Sequence, residues 1–353
     1  MFAAIETSFD ETAIAVCSES GRPLFAVLSS QVELHAPYGG CVPELAARNH
    51  LSDLPQLWRR IPGELTREIS CLGVTAGPGL PGCLLAGVNF ARGLGRSLKV
   101  PLYGLNHLSG HIFSPFIPGE DGKGIPVIYP SLALLVSGGH TELFLVRGFD
   151  DIELLGQTLD DAVGELLDKV SAMLGLGYPG GARLEQLAAG CPEMTIDADY
   201  SGGFSLPVPM RTSGDLNFSY SGLKTAVYRL VRAAGEAGLS AAGRSSLIAC
   251  LFSVAVESLW IKVAEAVRRT GVDVVTVSGG VAINGFIRNR FRRDCQAAGF
   301  SVFFPQPRHC LDNAEMMAWL LKLAVEEGIE PEAFDIDSNW NPGVEQVKVL
   351  PGG

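Results

Sequence analysis

The sequence predicts an α/β fold built twice, as two lobes of one architecture. Three observations lead there. A chain of 353 residues, 47% of them hydrophobic, is too long for one ordinary core and comfortable for two. One order of short apolar strands occurs early and recurs later. Glycine-rich turns follow equivalent strands in both halves.

The elements follow in chain order. FAAIETS reads as a buried strand, with a turn at Phe9–Asp10–Glu11. TAIAVCS and PLFAVLSSQ follow as a hairpin turning at Ser20–Gly21. CLGVTAGPGLPG is a strand ending in a Gly-rich loop, before an apolar helix around Leu84–Leu94 and a strand at VPLYGL. The plan then repeats. SLALLVS, TELFLV and IELLGQ are the strands, and VVTVSGGVAING is again strand then Gly loop. A helix around Phe286–Ala297 and a strand at FSVFFPQ complete the second copy. The spacing is irregular, so this is a duplicated domain and not a solenoid. The polar Pro118–Tyr129 segment marks the boundary, giving lobes over 1–120 and 121–353, with a last helix around Asn313–Glu327 expected to pack back on the first lobe. Helix Asp160–Leu174 shows an apolar face of Leu166, Leu167, Val170, Met173 and Leu174, with Asp160 placed to cap its start.

Composition narrows the function. A formal net charge of −11 excludes binding nucleic acid by bulk charge, so an RNA partner must meet a local basic patch. The Arg288–Arg293 run is the strongest such cluster, although a solvated helix face reads the same way. Eight cysteines without a CxxC pair fit neither a disulfide framework nor a Cys-type zinc site, and suit a reducing cytoplasm. The N-terminus lacks a signal-peptide pattern. The apolar stretch Leu247–Val263 is broken by Glu257 and Lys262 and reads as a buried helix, so no membrane partner is expected.

His107-Leu-Ser-Gly-His111 is the sharpest local feature. Residues four apart on a helix face one way, so two imidazoles there can share one ion. Asp312 occupies the matching place after the last strand of the second copy. Two His and a carboxylate suit Fe, Zn or Mn with open positions for substrate, whereas an isolated HxxxH more often caps a helix or fills a core. Gly77-Pro-Gly79, Ser137–Gly138–Gly139 and Ser278–Gly279–Gly280 are turns whose backbone N–H groups can approach phosphate. Glu6, Asp10 and Glu11 crowd the first hairpin turn, where carboxylates can hold Mg2+, orient water, act as a base, or simply face solvent. There is no P-loop, no dinucleotide fingerprint and no HExxH.

Ten segments, in order, resemble the TsaD family of tRNA threonylcarbamoyladenosine transferases. They are IETSFDET, HAPYGGCVPELAARNH, TAGPGLPGCLLAG, HLSGH, LLVSGGHTEL, DDAVGELLDK, GYPGG, NFSYSGLKTA, SGGVAIN and CLDNAEMMA, covering residues 2 to about 320. The resemblance implies two actin-like, ribonuclease H-like lobes of the ASKHA type flanking a nucleotide- and metal-binding cleft. It implies transfer of a threonylcarbamoyl group from threonylcarbamoyl-AMP to the exocyclic amine of the adenosine beside the anticodon in tRNAs reading ANN codons. By matching motif, His107, His111 and Asp312 hold one divalent ion, iron before zinc. Leu135, Val136, Ser137, Gly138 and Gly139, with Asp168, Gly181, Glu185 and Asn284, bind the adenylate. Asp10 and Glu11 are the catalytic candidates, and Mg2+ with ATP or ADP is a further expected ligand. Expected partners are tRNA, a smaller actin-like TsaB-type paralogue, a TsaE-type ATPase and a separate donor synthase, all cytoplasmic.

The chain departs from the family pattern at several points. Phe9 stands for a small Cys, Asn106 for a frequent third His, and Leu311 for Thr. Ala314–Glu315 replaces Gly-Ala, and Val208 and Ser338–Asn339–Trp340 replace basic segments. Three rival readings are an ASKHA-type kinase or ATPase using Asp10, a non-catalytic scaffold of the same complex, and a metalloprotease, which lacks its HExxH.

Overall fold

The computed structural model describes residues 1–189, 191, 204–235, 238–331 and 333–341. The chain begins with β1 (Phe2–Glu6), β2 (Glu11–Cys17), β3 (Pro23–Ser30), α1 (Val32–His35), α2 (Pro43–Trp58), α3 (Gly63–Glu68), β4 (Cys71–Gly77), α4 (Pro81–Leu98), β5 (Leu102–Asn106) and α5 (His107–Phe113). Next come β6 (Ser131–Val136), β7 (Thr141–Val146), β8 (Ile152–Gln157), α6 (Val163–Met173), α7 (Gly181–Ala188), α8 (Ser221–Ala233), α9 (Ala241–Thr270), β9 (Val274–Ser278), α10 (Gly285–Ala298), β10 (Ser301–Phe303) and α11 (Ala314–Glu326).

Two five-stranded mixed sheets result, ordered β3-β2-β1-β4-β5 and β10-β9-β6-β7-β8. The order is the same in both. In each, the first strand pairs antiparallel with the second (Ile5↔Ile14; Leu134↔Leu143) and parallel with the fourth (Ile5↔Val74; Leu134↔Val277). This is the actin-like, ribonuclease H-like sheet, present twice. β1 and β6 are buried along their whole length, which is why they read as unbroken apolar runs.

The chain packs as two compact units. One holds Met1–Tyr129, Arg147–Ile152 and the described residues from Pro305 onward, and the other holds Pro130–Val146 and Glu153–Phe304. The expected lobes, 1–120 and 121–353, differ from these units most in the last stretch, of which 342–353 lie outside the described residues. The reason is apolar surface. α11 is buried from Met316 through Ala324 and lies on β1, β2 and β4, while α2 and α4 pack as a pair. Within the same unit, Phe334 and Trp340 enter the core with Ile5, Ile14, Leu72 and Val74.

The second unit is built around α9, whose most apolar 18-residue window is 78% buried, as a core helix requires. The charges at Glu257 and Lys262, in its middle, are both partnered. Glu257 pairs with Arg290, and the Lys262 ammonium donates to Ser213 Oγ and the Asp215 carbonyl, each at 2.7 Å. One local expectation is corrected: Asp160 does not cap α6, which starts at Val163 behind Ala162. Instead it caps α8, its carboxylate accepting from Tyr220 N at 2.7 Å and from the Ser219 and Ser221 hydroxyls at 2.6 Å.

Candidate functional site

The hairpin turn between β1 and β2 is tied on several sides by its backbone. Thr7 Oγ1 donates to the Cys83 carbonyl at 3.0 Å, Leu80 N donates to Ser8 O at 2.8 Å, and Gln31 N donates to Asp10 O at 3.0 Å. His50 Nε2 lies 3.0 Å from the Phe9 carbonyl, which can only accept. Nε2 therefore carries the proton, leaving Nδ1 to accept from Thr12 Oγ1 at 2.8 Å. Burial keeps His50 below its ordinary pKa, in keeping with that neutral ring.

This rigid turn lies beside α5. Asn106 caps the helix, its Oδ1 accepting from Ser109 N at 3.0 Å while its Nδ2 donates to Trp340 O at 3.3 Å. The residue standing for a frequent third His thus has a structural use. His107 and His111, one turn apart, face the same way with ring centroids 4.8 Å apart. Their Nε2 atoms lie 3.4 and 3.1 Å from one carboxylate oxygen, Asp312 Oδ1. One ligand atom from each of the three falls within 4.8 Å of the others. All three belong to one unit, so they do not meet as strand ends of two facing lobes. α5, which follows β5, carries the imidazoles, and the turn before α11 carries the carboxylate.

A buried carboxylate lies behind His107. Glu6, fully buried at the end of β1, accepts from His107 Nδ1 at 2.9 Å, from Thr75 Oγ1 at 2.5 Å and from Ser8 N at 2.5 Å. Burial alone would raise its pKa, but the charge and hydrogen bond of His107 outweigh that and hold it down. Burial likewise opposes charge on His107, yet Glu6 and Asp312 on either side raise it well above the ordinary value. In His111 burial wins, and the ring is held down as a neutral imidazole. Asp312 is kept far below the ordinary carboxylate range, with both His residues overcoming burial. Two imidazole nitrogens and an ionised carboxylate around one point form a donor set that fits a divalent transition metal.

Asp10 is 4% exposed, and its Oδ2 has no partner among the described residues. Glu11 accepts from Ser30 Oγ at 3.1 Å. Burial, a hydrogen bond with Asp10 and the charges of Asp312 and Asp10 push its carboxyl up to about 9. The pair is therefore not a solvent-facing turn. Phe9 remains 39% exposed at its tip.

The second unit gathers the other expected residues. Leu135 and Val136 end β6, and Ser137–Gly139 turn outward, with Ser137 N donating to His140 O at 2.8 Å. Gly164 fits tightly behind this turn, since a Cβ there would lie 2.4 Å from Ser137 O. Gly279, at φ +92°, packs on Val136 O in the same way. No Cβ clash restricts Gly138 or Gly139, whose backbone stays open. Asp168 accepts from Gly180 N at 2.6 Å at the start of α7, of which Gly181 is the first residue. Burial raises the Asp168 carboxyl. Glu185 accepts from Gly285 N at 2.7 Å, the first residue of α10, and Asn284 caps that helix through Ile287 N at 3.3 Å. Asn284 Nδ2 is buried with no partner among the described residues. Two helix N-termini thus lie among the expected adenylate contacts, and such ends favour anions.

Other sequence features resolve differently. Neighbouring side chains engage the arginines of the Arg288–Arg293 run, of which Arg292 and Arg293 remain exposed. Arg290 pairs with Glu257 and Asp294, Arg293 donates to Asp294 at 3.0 Å, and Arg288 and Arg292 lie over the Phe304 ring at 5.0 and 5.4 Å. Glu315 pairs with His309 at 3.3 Å, one helical turn from Asp312 in the chain. Glu6 was legible only as one of three crowded acids, and Ser8 and Thr75 carried no signal. What marks them is that Ser8, Thr75 and one imidazole converge on the Glu6 carboxylate.

The profile of the family described as TsaD, tRNA N6-adenosine threonylcarbamoyltransferase, matches residues 24–319. A protein of that description from Nitrosospira multiformis is 40% identical over 350 residues, covering 97% of each chain. Another from Aromatoleum aromaticum is 41% identical over 95% of each. One from Thermosipho africanus is 39% identical over 93% of this chain and 96% of its own. Among solved structures, full-length HypF with bound phosphate and nucleotide superposes with a TM-score of 0.57 at 12% identity, over 92% of this chain and 56% of that one. T. kodakarensis HypF gives 0.57 at 16% identity, over 92% and 48%. At such identities these two show a common fold. With matches along nearly its whole length, the chain belongs to the TsaD family of tRNA N6-adenosine threonylcarbamoyltransferases.

Proposed function

We propose that this chain transfers a threonylcarbamoyl group to N6 of adenosine in tRNA. The observation that carries the reading is similarity at about 40% identity along nearly the whole chain to proteins of that activity. The His107–His111–Asp312 cluster supports it, because a kinase or ATPase of this fold has no need of such a set and a scaffold has no reason to keep it.

The finer assignments are part of the proposal. The donor is threonylcarbamoyl-AMP and the acceptor is the adenosine beside the anticodon in tRNAs reading ANN codons. The backbone of Ser137–Gly139 meets phosphate, Asp168 the ribose hydroxyls, and Gly181, Glu185 and Asn284 complete the adenylate site. His107, His111 and Asp312 hold one divalent ion, iron or zinc, which when bound supplies a Lewis acid and a template for the donor's oxygens. The donor is a mixed anhydride, so its carbonyl is already activated. The N6 amine adds to that carbonyl, the new C–N bond forms, the C–O bond to phosphate breaks, and AMP departs. Asp10 takes the amine proton, while Glu11, protonated at neutral pH, donates a hydrogen bond to Asp10 and holds it. The protein's main work is orientation and stabilisation of developing charge. A TsaB-type paralogue, a TsaE-type ATPase, Mg2+ with ATP or ADP and a separate donor synthase complete the cytoplasmic system.

The test incubates purified protein with threonylcarbamoyl-AMP, unmodified tRNA and the partner proteins, followed by mass spectrometry of the digested tRNA. Threonylcarbamoyladenosine is expected from the parent and none from Asp312→Ala. Absence of product from the parent, in a reaction that another family member completes, would overturn the assignment.

A further inference from the structure

We infer that Glu6 is a positioning residue that fixes the tautomer of His107, so that Nε2 and not Nδ1 is the nitrogen offered to a metal. The inference rests on the metal reading of His107, His111 and Asp312, and it deepens that site by one layer.

The geometry is over-determined. Glu6 is 0% exposed, and its carboxylate receives only donors from fixed places. Ser8 N–H, a backbone group of the tied turn, donates to Oε1 at 2.5 Å. Thr75 Oγ1, on β4, donates to Oε2 at 2.5 Å. His107 Nδ1 lies 2.9 Å from the same Oε2, with Ser8 Oγ at 3.2 Å as a second neighbour. An ionised carboxylate accepts and cannot donate. Nδ1 must therefore carry a hydrogen, and Nε2, which faces Asp312 as the His111 Nε2 does, is the nitrogen that can exchange its own proton for a metal. A ligating imidazole whose other nitrogen donates to a carboxylate is held in orientation and made a better ligand. His111 lacks this support, because its Nδ1 is buried with no partner among the described residues.

The substitution Glu6→Gln distinguishes this role from mere packing. All three groups around Glu6 are donors, and a glutamine has one carbonyl and one NH2. Ser8 N–H cannot turn, so it holds the carbonyl at the Oε1 position. The NH2 then faces Thr75 and His107. The threonine hydroxyl can rotate to accept, but His107 Nδ1 can accept only by giving up its hydrogen. The proton moves to Nε2, the nitrogen meant for the metal. Thr75→Val makes the opposite control: it removes one donor at nearly constant volume and leaves the Glu6–His107 bond in place.

The experiment uses the full chain with zinc as the probe. Zinc affinity is read by competition with a chromogenic chelator, and the His107 ring nitrogens by 15N NMR of the zinc-loaded protein. The parent is expected to show protonated Nδ1 and metal-bound Nε2. Glu6→Gln is expected to lose about 10–100-fold in zinc affinity, the scale for a lost outer-shell partner, with Thr75→Val near the parent. A parent with zinc on Nδ1 overturns the inference without any variant, and so does a Glu6→Gln protein that binds zinc as the parent does. His107→Ala separates the two readings. If it loses zinc while Glu6→Gln does not, the metal site stands and Glu6 has no role in it. If the parent binds no zinc, or His107→Ala binds it undiminished, the metal reading fails and takes this inference with it.

Discussion

Asp10 and Glu11 are adjacent in the chain, and the first acts on the second. Glu11 is pushed up to about 9 by burial, by its hydrogen bond with Asp10 and by the Asp312 and Asp10 charges. The sign follows from linkage. Between the ordinary glutamate value and about 9, the folded metal-free protein keeps a proton that the unfolded chain has released. The stabilising contribution is therefore complete below the ordinary value and is lost as pH rises through about 9. Glu11→Gln imitates the protonated form permanently. Its stability relative to the parent is expected to increase steadily with pH across that window, as followed by urea unfolding of metal-free protein. A difference that stays flat with pH would mean that Glu11 is ionised in the fold. The acids crowding this turn were legible in the sequence, but which of them holds a proton was not. That depends on Asp312, some three hundred residues away, and on burial that no local pattern records.

Periodicity identified the apolar face of α6, where Leu166, Leu167 and Val170 are buried, because a face 3.6 residues in period has one way to be buried. Caps were less legible. Asp160 has the composition of a cap for the helix that follows it, but it caps α8, sixty residues on, through Tyr220 N and Ser221 N at 2.7 and 3.2 Å. These bonds and those from the Ser219 and Ser221 hydroxyls hold its carboxyl down to about 2 despite the opposing effect of burial. The cap is consequently kept above the ordinary aspartate value and lost as pH falls toward about 2. Asp160→Ala is expected to cost about 1 kcal/mol at neutral pH, the usual worth of a lost N-cap, measured by chemical denaturation. No loss would show that the two serine hydroxyls cap α8 without it. In Arg288–Arg293, a run that reads as a basic face, Arg290 is held against Glu257 and Asp294 and Arg288 lies over Phe304, while Arg292 and Arg293 stay exposed.

At the scale of the whole molecule, the described C-terminal stretch acts as a clasp on the first unit. Asp337 N donates to Ala76 O at 2.8 Å, and Phe334 and Trp340 are each 4% exposed inside the core built by β1, β2 and β4. The Arg92 guanidinium lies over the Phe334 ring at 5.7 Å and donates to its carbonyl at 2.5 Å. In Ser338–Asn339–Trp340, standing where the family has a basic ending, Trp340 therefore contributes packing. Trp340→Ala is expected to cost about 3–5 kcal/mol, the range for truncating a large buried aromatic. The Trp340 carbonyl, which accepts from Asn106, the cap of α5, survives this substitution, so zinc affinity should fall only as far as loss of the ring displaces the backbone there. Thermal unfolding and chelator competition check the two parts, and an unchanged melting temperature would show that the clasp is dispensable.

The sequence by itself determined the strands, their duplication and the family, because buried strands are continuous apolar runs and ten ordered motifs leave little freedom. It also determined that His107 and His111 share a face, since four residues are one helical turn. Only the tertiary structure decided that Asp312 joins them within one unit, how the described residues from Pro305 onward cover the N-terminal sheet, and that Ser8, Thr75 and His107 meet on the Glu6 carboxylate. Most of those are contacts between residues 60 to 300 apart in the chain. They are fixed by which apolar faces cover one another and by where buried donors find acceptors, and neither is written in any local window of sequence.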